Sequence, residues 1–210
     1  MSTSDRLTLF HAPGTCSLGI RVLLEEIGAP HDLVLVDLAS GGQRAPAYLA
    51  LNPKGKVPAL RREDGSVLTE FPAIALWLSR QFPQAGLWPT DLEGEVRTLE
   101  LLEYLVSTVH MRGFTLALVP MKFAPGDEAQ AALRAHGRAV AEQGLAQAAS
   151  LLRDDGFLNG ARPGVTDAAL FYLLQWAPRI GLDLPEAVVR FDHRMKVRPA
   201  VRRALDMPAV

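Results

Sequence analysis

The 210-residue chain is 49% hydrophobic and 21% charged, enough apolar material to bury a core and too little charge for a disordered tail. Its length falls between one and two domains on the usual scale of about 100–200 residues each. Lys and Arg number 22 against 23 Asp and Glu, a formal charge of −1 without a long run of one sign, which argues against nucleic acid and membrane surfaces as partners.

The chain opens on Met1-Ser-Thr-Ser-Asp-Arg6, which leads into a short strand over 7–10 rather than an apolar signal core. No apolar run approaches the roughly 20 residues of a membrane span, so a cytoplasmic location is expected. His11-Ala-Pro-Gly-Thr15 is dense in turn formers, and Cys16 follows it directly. Leu18, Val22, Leu23 and Ile27 then recur at helical spacing, with Gly28 and Pro30 as stop signals, which sets Cys16 at a helix N-terminus. Residues 33–36 form a β-branched apolar run, so strand, helix and strand read as a right-handed βαβ unit with parallel strands. Gly41-Gly42 breaks the pattern, and a short helix around 46–51 leads to Asn52-Pro-Lys-Gly55. Residues 57–61 and 67–69 flank an Asp64-Gly65 turn and predict a hairpin, with Pro58 opening its first strand because it has no N–H for a central position. Pro72 suits the first turn of a helix with Ile74, Leu76, Trp77 and Leu78 on its apolar face, ending by Phe82-Pro83.

Residues 84–91 form a Pro- and Gly-containing connector, after which strand signals vanish. Helical patterns cover about 92–118, then 127–153 from a Gly126-Asp127 start with Gln130 in the capping-box position, then 165–177, 185–195 and 199–205. The expected architecture is an α/β domain over 1–83, a linker over 84–91 and an all-helical domain over 92–210.

The single cysteine excludes an intrachain disulfide, a multi-cysteine zinc site and a Cys-x-x-Cys redox pair. Two readings of Cys16 stay open: an inert buried thiol, or a thiol whose pKa is lowered by the N–H groups and dipole of the helix behind it. Glu70 before a helix start is equally a solvated charge or part of a site, and His110 on a long amphipathic helix is equally a structural histidine or a functional one.

Five segments together resemble a cytosolic glutathione transferase, most closely the bacterial beta class. They are Ala12-Pro-Gly-Thr-Cys-Ser-Leu18, Asn52-Pro-Lys-Gly-Lys-Val-Pro-Ala-Leu60, Leu68-Thr-Glu-Phe-Pro-Ala-Ile74, Val109-His110 with Phe114, and Gln175-Trp-Ala-Pro178 followed by Gly181-Leu-Asp-Leu184. The resemblance implies an N-terminal thioredoxin-like domain (βαβ-α-ββ-α) and a C-terminal helical bundle. It also implies a cis peptide before Pro58, with the Val57 backbone pairing in strand fashion with the cysteinyl unit of glutathione. Glu70 would receive the α-ammonium of the γ-glutamyl group, and the N–H of Phe71 its carboxylate. Phe71 departs from the family, which has Ser or Gly there, so a hydroxyl is lost while the N–H is kept. Lys56 stands where Gln is commoner and adds a cation near a glutathione carboxylate. His110 matches a histidine that reaches toward the glutathione thiol, and Glu103 on the same helix would reach the γ-glutamyl ammonium bound by a partner subunit. Asp167 matches a helix-capping acid, but the cap itself is Gly164, a departure expected to cost only a few tenths of a kcal/mol. Of Met111, Phe114, Leu118, Met121, Phe123 and Trp176, most are expected in the core and a few at an electrophile pocket.

The implied activity is conjugation of glutathione, a co-substrate, to a small apolar electrophile, with the thiol activated by the helix N-terminus at Cys16 and Ser17. One alternative is a glutathione-dependent thiol transferase in which Cys16 forms a mixed disulfide that a second glutathione resolves, since Gly19 occupies the place of a resolving cysteine. Another is a glutathione-transferase-like binding protein without turnover, motivated by Phe71 and Gly164. The resemblance implies a homodimer. No metal is expected, and nucleotide-binding and zinc-protease motifs are absent.

Overall fold

The structure, a computed structural model, describes residues 6–153 and 156–206. The expectation that the first five residues lead up to a strand lies outside the described residues. The chain divides into two compact units: one runs to Ala85 and takes back the segment from Pro199, and the other spans Gly86–Arg198.

In the first unit the elements are β1 (Leu7–His11), α1 (Ser17–Ile27), β2 (His31–Leu35), α2 (Pro46–Leu51), β3 (Ala59–Arg61), β4 (Val67–Thr69) and α3 (Phe71–Gln81). The sheet order is β2-β1-β3-β4, with β1 parallel to β2 and antiparallel to β3, and β3 antiparallel to β4. This is the thioredoxin-like arrangement. β1 is central and every residue of it is buried, which is why it reads as an almost unbroken apolar run. On one side Phe10 meets Tyr48 edge to face at 5.8 Å, with Val36 and Ala59 completing the cluster. Strand boundaries differ from the sequence reading: β1 runs on to His11, β2 spans His31–Leu35 rather than 33–36, and β3 starts only at Ala59, the first residue after Pro58 able to donate to a ladder. Gly28 ends α1 with φ 72°, its N–H donating to the Leu24 carbonyl.

The last helix, α9 (Pro199–Leu205), packs in this first unit rather than with the helical half. The reason lies in α1: Arg21 is only 6% exposed, and its Nη2 donates to the carbonyls of Arg203 at 2.9 Å and Asp206 at 2.6 Å. A buried guanidinium thus finds acceptors in the carbonyls that a helix C-terminus leaves unpaired. Arg203 returns the contact by pairing with Glu25 at 2.6 Å.

In the second unit, α4 (Leu92–Glu103) is capped by Asp91, whose Oδ1 accepts from the Gly94 N–H at 2.9 Å. The helix expected to run unbroken to 118 instead widens into a π-helical segment over Tyr104–Phe114 before α5 (Thr115–Leu118). This segment lies against α6 (Asp127–Leu151) at a distance only glycine permits. A Cβ on Gly137 would stand 2.6 Å from the Gly113 carbonyl oxygen, and one on Gly144 would stand 2.4 Å from Val109 Cγ2. Gly126 caps α6 with φ 80°, and the expected capping role of Gln130 is not filled, because its Nε2 turns back to the Ala124 carbonyl. α7 (Val165–Leu174) is buried along its whole length, and α8 (Glu186–Lys196) follows a 3-10 turn over Ala177–Ile180.

The start of α7 corrects the reading of Gly164. Asp167 is fully buried, its Oδ2 accepting from the Gly164 N–H at 2.8 Å and its Oδ1 from the Leu158 N–H at 2.9 Å. A Cβ at position 164 would stand 2.8 Å from the Leu87 carbonyl oxygen, which already accepts from the Val165 N–H. Glycine there is required by packing rather than merely tolerated as a weak cap.

Candidate functional site

The loop between β1 and α1 is organised from inside. The Ser17 hydroxyl lies 2.7 Å from His11 Nδ1, 2.7 Å from Thr15 Oγ1 and 3.2 Å from the Ala12 N–H. Ser17 is fully buried and His11 nearly so. Burial, helped by the Arg21 charge and opposed by the Ser17 hydrogen bond, brings the His11 pKa down to about 4, so its ring is neutral at pH 7. Ser17, read from the sequence as an activator of the ligand thiol, is therefore turned inward. Its hydroxyl shapes the loop that presents Cys16.

Cys16 precedes α1 in a helical conformation, φ −60° and ψ −18°, and is partly buried. Its Sγ faces the Val57 carbonyl at 3.6 Å, within reach of a weak S–H donor. Burial pushes the thiol pKa up to about 12. The N–H groups of Cys16 and Ser17 and the Lys56 ammonium act against the rise, and the Glu70 carboxylate adds to it. Of the two readings of Cys16 that the sequence leaves open, burial favours the protonated thiol, since desolvation outweighs the opposing N–H groups of the helix.

The Val57–Pro58 peptide is cis. The Lys56 carbonyl just before it accepts from Tyr48 Oη at 2.7 Å and Asn52 Nδ2 at 2.8 Å. Tyr48 and Asn52 thereby fix the segment that faces Cys16, a positioning role the sequence reading did not assign. The only sign of it was Asn52, a polar residue in a motif, buried in the fold. Glu70 is exposed and caps α3 with φ 70° and ψ 127°. The cation beside it is Lys54, whose Nζ is 2.8 Å from Glu70 Oε1 and 2.8 Å from Thr69 Oγ1. Lys56, the cation singled out in the sequence, is exposed and close enough for its charge to act on Cys16. Phe71 is 4% exposed, so the residue that departs from the family pattern sends its ring into the core and leaves no bulk at the first turn of α3. One face of the first unit therefore gathers a thiol, the backbone beside a cis peptide, a carboxylate, two ammonium groups and a helix N-terminus. These suit a ligand carrying a thiol, peptide groups and a zwitterionic end.

In the helical unit, His110 is partly buried on the π-helical segment. Its Nδ1 lies 3.2 Å from Tyr172 Oη, and its ring meets Trp176 edge to face at 4.8 Å. Phe114 meets the same Trp176 at 5.8 Å. Phe114 and Trp176 are buried as expected, but Met111, Met121 and Phe123 are exposed, not core. Glu103 is exposed at the end of α4. Among the described residues no group of three or more His, Cys, Asp and Glu is placed to hold a metal ion.

Comparison with known proteins agrees with this geometry. Residues 14–81 match the model of the glutathione S-transferase N-terminal domain, and residues 131–206 match that of its C-terminal domain. The chain is 35% identical over 203 residues to glutathione S-transferase GstA of Escherichia coli O157:H7, covering 95% of this chain and 97% of that protein. A glutathione transferase homologue from Sulfitobacter, solved with bound glutathione, superposes with a TM-score of 0.87 at 31% identity over 95% of this chain and 96% of that one. A beta class glutathione S-transferase from Sphingomonas chungbukensis superposes with a TM-score of 0.80 at 35% identity over 94% of this chain and 96% of that one. The chain belongs to the glutathione S-transferase family, within the cytosolic superfamily.

Proposed function

We propose that this protein is a beta class glutathione transferase that conjugates glutathione to a small apolar electrophile, with Cys16 serving as a hydrogen-bond donor to the glutathione thiolate. The observation that carries the reading is geometric: the Cys16 Sγ, at the start of α1, lies 3.6 Å from the Val57 carbonyl next to the cis Val57–Pro58 peptide. A protonated thiol donates a hydrogen bond and does not attack. With glutathione bound, the backbone of Val57 pairs with its cysteinyl unit, Glu70 takes its ammonium, and Lys54 or Lys56 and the first turn of α3 take its carboxylates. The glutathione thiol loses its proton to solvent, and the thiolate, stabilised by the Cys16 S–H, forms a bond to the electrophilic carbon as the leaving group departs. His110 is oriented within the helical unit by Tyr172 and Trp176.

Burial, which disfavours a Cys16 thiolate, weighs against the thiol-transferase alternative, which needs that thiolate to attack. The buried ring of Phe71 weighs against the non-catalytic alternative, since that substitution does not fill the ligand's place. A dimer is supported by α4, where Leu92, Val96 and Leu99 are 77%, 51% and 46% exposed at one-turn spacings and Glu103 continues the same stripe. No helix among the described residues is long and apolar enough to cross a membrane, and an enzyme that consumes a reduced thiol suits the cytoplasm.

The test compares wild type with Cys16→Ser and Cys16→Ala on an aryl halide and on a glutathionyl mixed disulfide. Conjugation is expected to persist in Cys16→Ser, which keeps a donor, and to fall about tenfold in Cys16→Ala, with the pKa of the bound glutathione thiol rising in step. Incubation of the wild type with oxidised glutathione at neutral pH should add no glutathionyl mass. A stable adduct, with loss of only the disulfide activity in Cys16→Ala, would establish the thiol transferase instead.

A further inference from the structure

His11 and Ser17 tie the end of β1 to the start of α1 across the turn that carries Cys16. The His11 carbonyl accepts from the Val36 N–H at 2.8 Å, which fixes the histidine to the sheet, and Ser17 is the first residue of α1. Between these ends three short contacts run in series: His11 Nδ1 to Ser17 Oγ at 2.7 Å, Ser17 Oγ to Thr15 Oγ1 at 2.7 Å, and Thr15 Oγ1 to the Ala12 carbonyl at 2.8 Å. Polar atoms this close repel unless a hydrogen lies between them. Three contacts need three hydrogens, of which the carbonyl supplies none and the two hydroxyls supply two. The third is therefore on His11 Nδ1. That fixes the direction of the whole series: the ring donates to Ser17, Ser17 to Thr15, and Thr15 to Ala12. The hydroxyl oxygens are further filled by the Ala12 N–H, which donates to Ser17 Oγ at 3.2 Å, and the Ser17 N–H, which donates to Thr15 Oγ1 at 3.3 Å. His11 and Ser17 are 2% and 0% exposed, so water does not compete for these hydrogens. With the ring neutral, Nε2 is the bare nitrogen. Cys16 stands between Thr15 and Ser17, so both of its neighbours are held by the series while its Sγ faces the Val57 carbonyl.

We propose that His11 is a positioning residue of the thiol site, whose Nδ1–H orders the Ser17 and Thr15 hydroxyls and so holds Cys16 where it donates to the glutathione thiolate. The catalytic part of this role rests on the donor reading of Cys16, whereas the tautomer of His11 and the hold on Cys16 do not.

Nitrogen-15 NMR of the histidine-labelled full chain reads the tautomer at neutral pH. A hydrogen on Nδ1 and a bare Nε2 are expected for His11, and the reverse would overturn the proposal. His11→Asn sets an amide N–H close to the place of Nδ1–H, and His11→Leu removes the donor. With an aryl halide as electrophile, kcat is expected to fall about tenfold in His11→Leu and to stay within about twofold of wild type in His11→Asn, while the glutathione KM moves by less than about twofold in either. A loss carried by KM, or an asparagine variant as impaired as the leucine one, would overturn the proposal. Iodoacetamide reports on Cys16 without glutathione: alkylation at neutral pH should be about tenfold faster in His11→Leu than in wild type and unchanged in His11→Asn. Equal rates in all three would overturn the hold on Cys16 whatever the conjugation rates. A wild type that does not conjugate, with the tautomer and the alkylation rates as expected, would overturn the donor reading alone. Should His11→Leu not fold, the tautomer of the wild type and the rates of His11→Asn decide the matter.

Discussion

Lys54 Nζ stands 2.8 Å from Glu70 Oε1, and Glu70 is the one non-glycine residue with positive φ among those described. The pair is more than half exposed, so the contact itself stabilises the fold by less than about 1 kcal/mol. The backbone at φ 70° and ψ 127° costs on the order of 1–3 kcal/mol for any residue with a Cβ. An exposed ion pair does not offset that strain, and a strained residue at this position accords with the proposed role of its carboxylate in holding the ligand ammonium.

Replacing Glu70 with glycine should therefore stabilise the protein while weakening glutathione binding. Relief of strain, reduced by the greater freedom of glycine in the unfolded chain, leaves a net gain of about 1 kcal/mol. Loss of a charge-assisted hydrogen bond to the ligand ammonium raises the glutathione Kd about tenfold. Glu70→Gln keeps the strained backbone and should show the affinity loss without the gain in stability. Thermal unfolding and calorimetry on the two variants give both quantities, and a Glu70→Gly protein less stable than wild type would contradict the strain argument.

Cys16 should alkylate slowly in the free protein, at a rate that climbs steadily with pH. A free cysteine is half ionised near pH 8.5, so its reaction with iodoacetamide levels off above about that value. With the thiol pKa pushed up to about 12 by burial, no plateau is expected below about pH 10. Protein unfolded in urea, where the burial is gone, should show the ordinary inflection. A plateau near or below neutral pH in the folded protein would mean that the N–H groups of the helix prevail over desolvation after all.

The parts of this fold legible in the sequence are those written locally. β1 and α1 follow from an apolar run, a turn-rich loop and a glycine stop, and α3 follows from Pro72 and its apolar spacing. What escaped depends on pairs distant in the chain. Lys54 rather than Lys56 meets Glu70 because β4 returns alongside the loop after α2, a matter of register that spacing does not reveal. Nothing near Ser17 announces that its hydroxyl turns inward to His11. The return of α9 to the first unit hangs on Arg21, which looks in sequence like an ordinary charge on an amphipathic helix. The π-helical segment likewise has no local signal, since its close contact with Gly137 and Gly144 comes from α6.

Gly164 offers a direct test of packing against capping. Serine is a better N-cap than glycine by a few tenths of a kcal/mol, so capping alone predicts that Gly164→Ser stabilises the chain. The Leu87 carbonyl oxygen, 2.8 Å from where the new Cβ would lie, predicts the opposite. Overpacking against backbone costs about 1–3 kcal/mol, so both Gly164→Ser and Gly164→Ala should be destabilised by about that amount. Asp167→Ala, which strands the buried N–H groups of Gly164 and Leu158, should lose about 2–4 kcal/mol. Chemical denaturation measures all three, and a stabilised Gly164→Ser would show that the Leu87 segment yields.

Two buried groups give opposite pH dependences that mask each other in the wild type. His11, lowered from 6.5 to about 4 by burial, binds its proton less tightly in the folded state than in the unfolded one. Its contribution to stability is complete above pH 6.5 and is lost as pH falls toward 4. Asp167, raised from 3.8 to about 7 by burial in spite of its two backbone hydrogen bonds, binds its proton more tightly when folded. Its contribution is greatest below pH 3.8 and is lost as pH rises toward 7. Between about pH 4 and 6.5 the two slopes are of opposite sign, each at most about 1.4 kcal/mol per pH unit. Asp167→Asn removes the second slope, so relative to wild type this variant should lose stability more steeply on acidification. His11→Gln removes the first and should lose less steeply, or gain. Urea midpoints measured across this range separate the cases, each group reporting on the unit that holds it. Parallel curves for wild type and both variants would mean that neither proton is bound differently in the folded state.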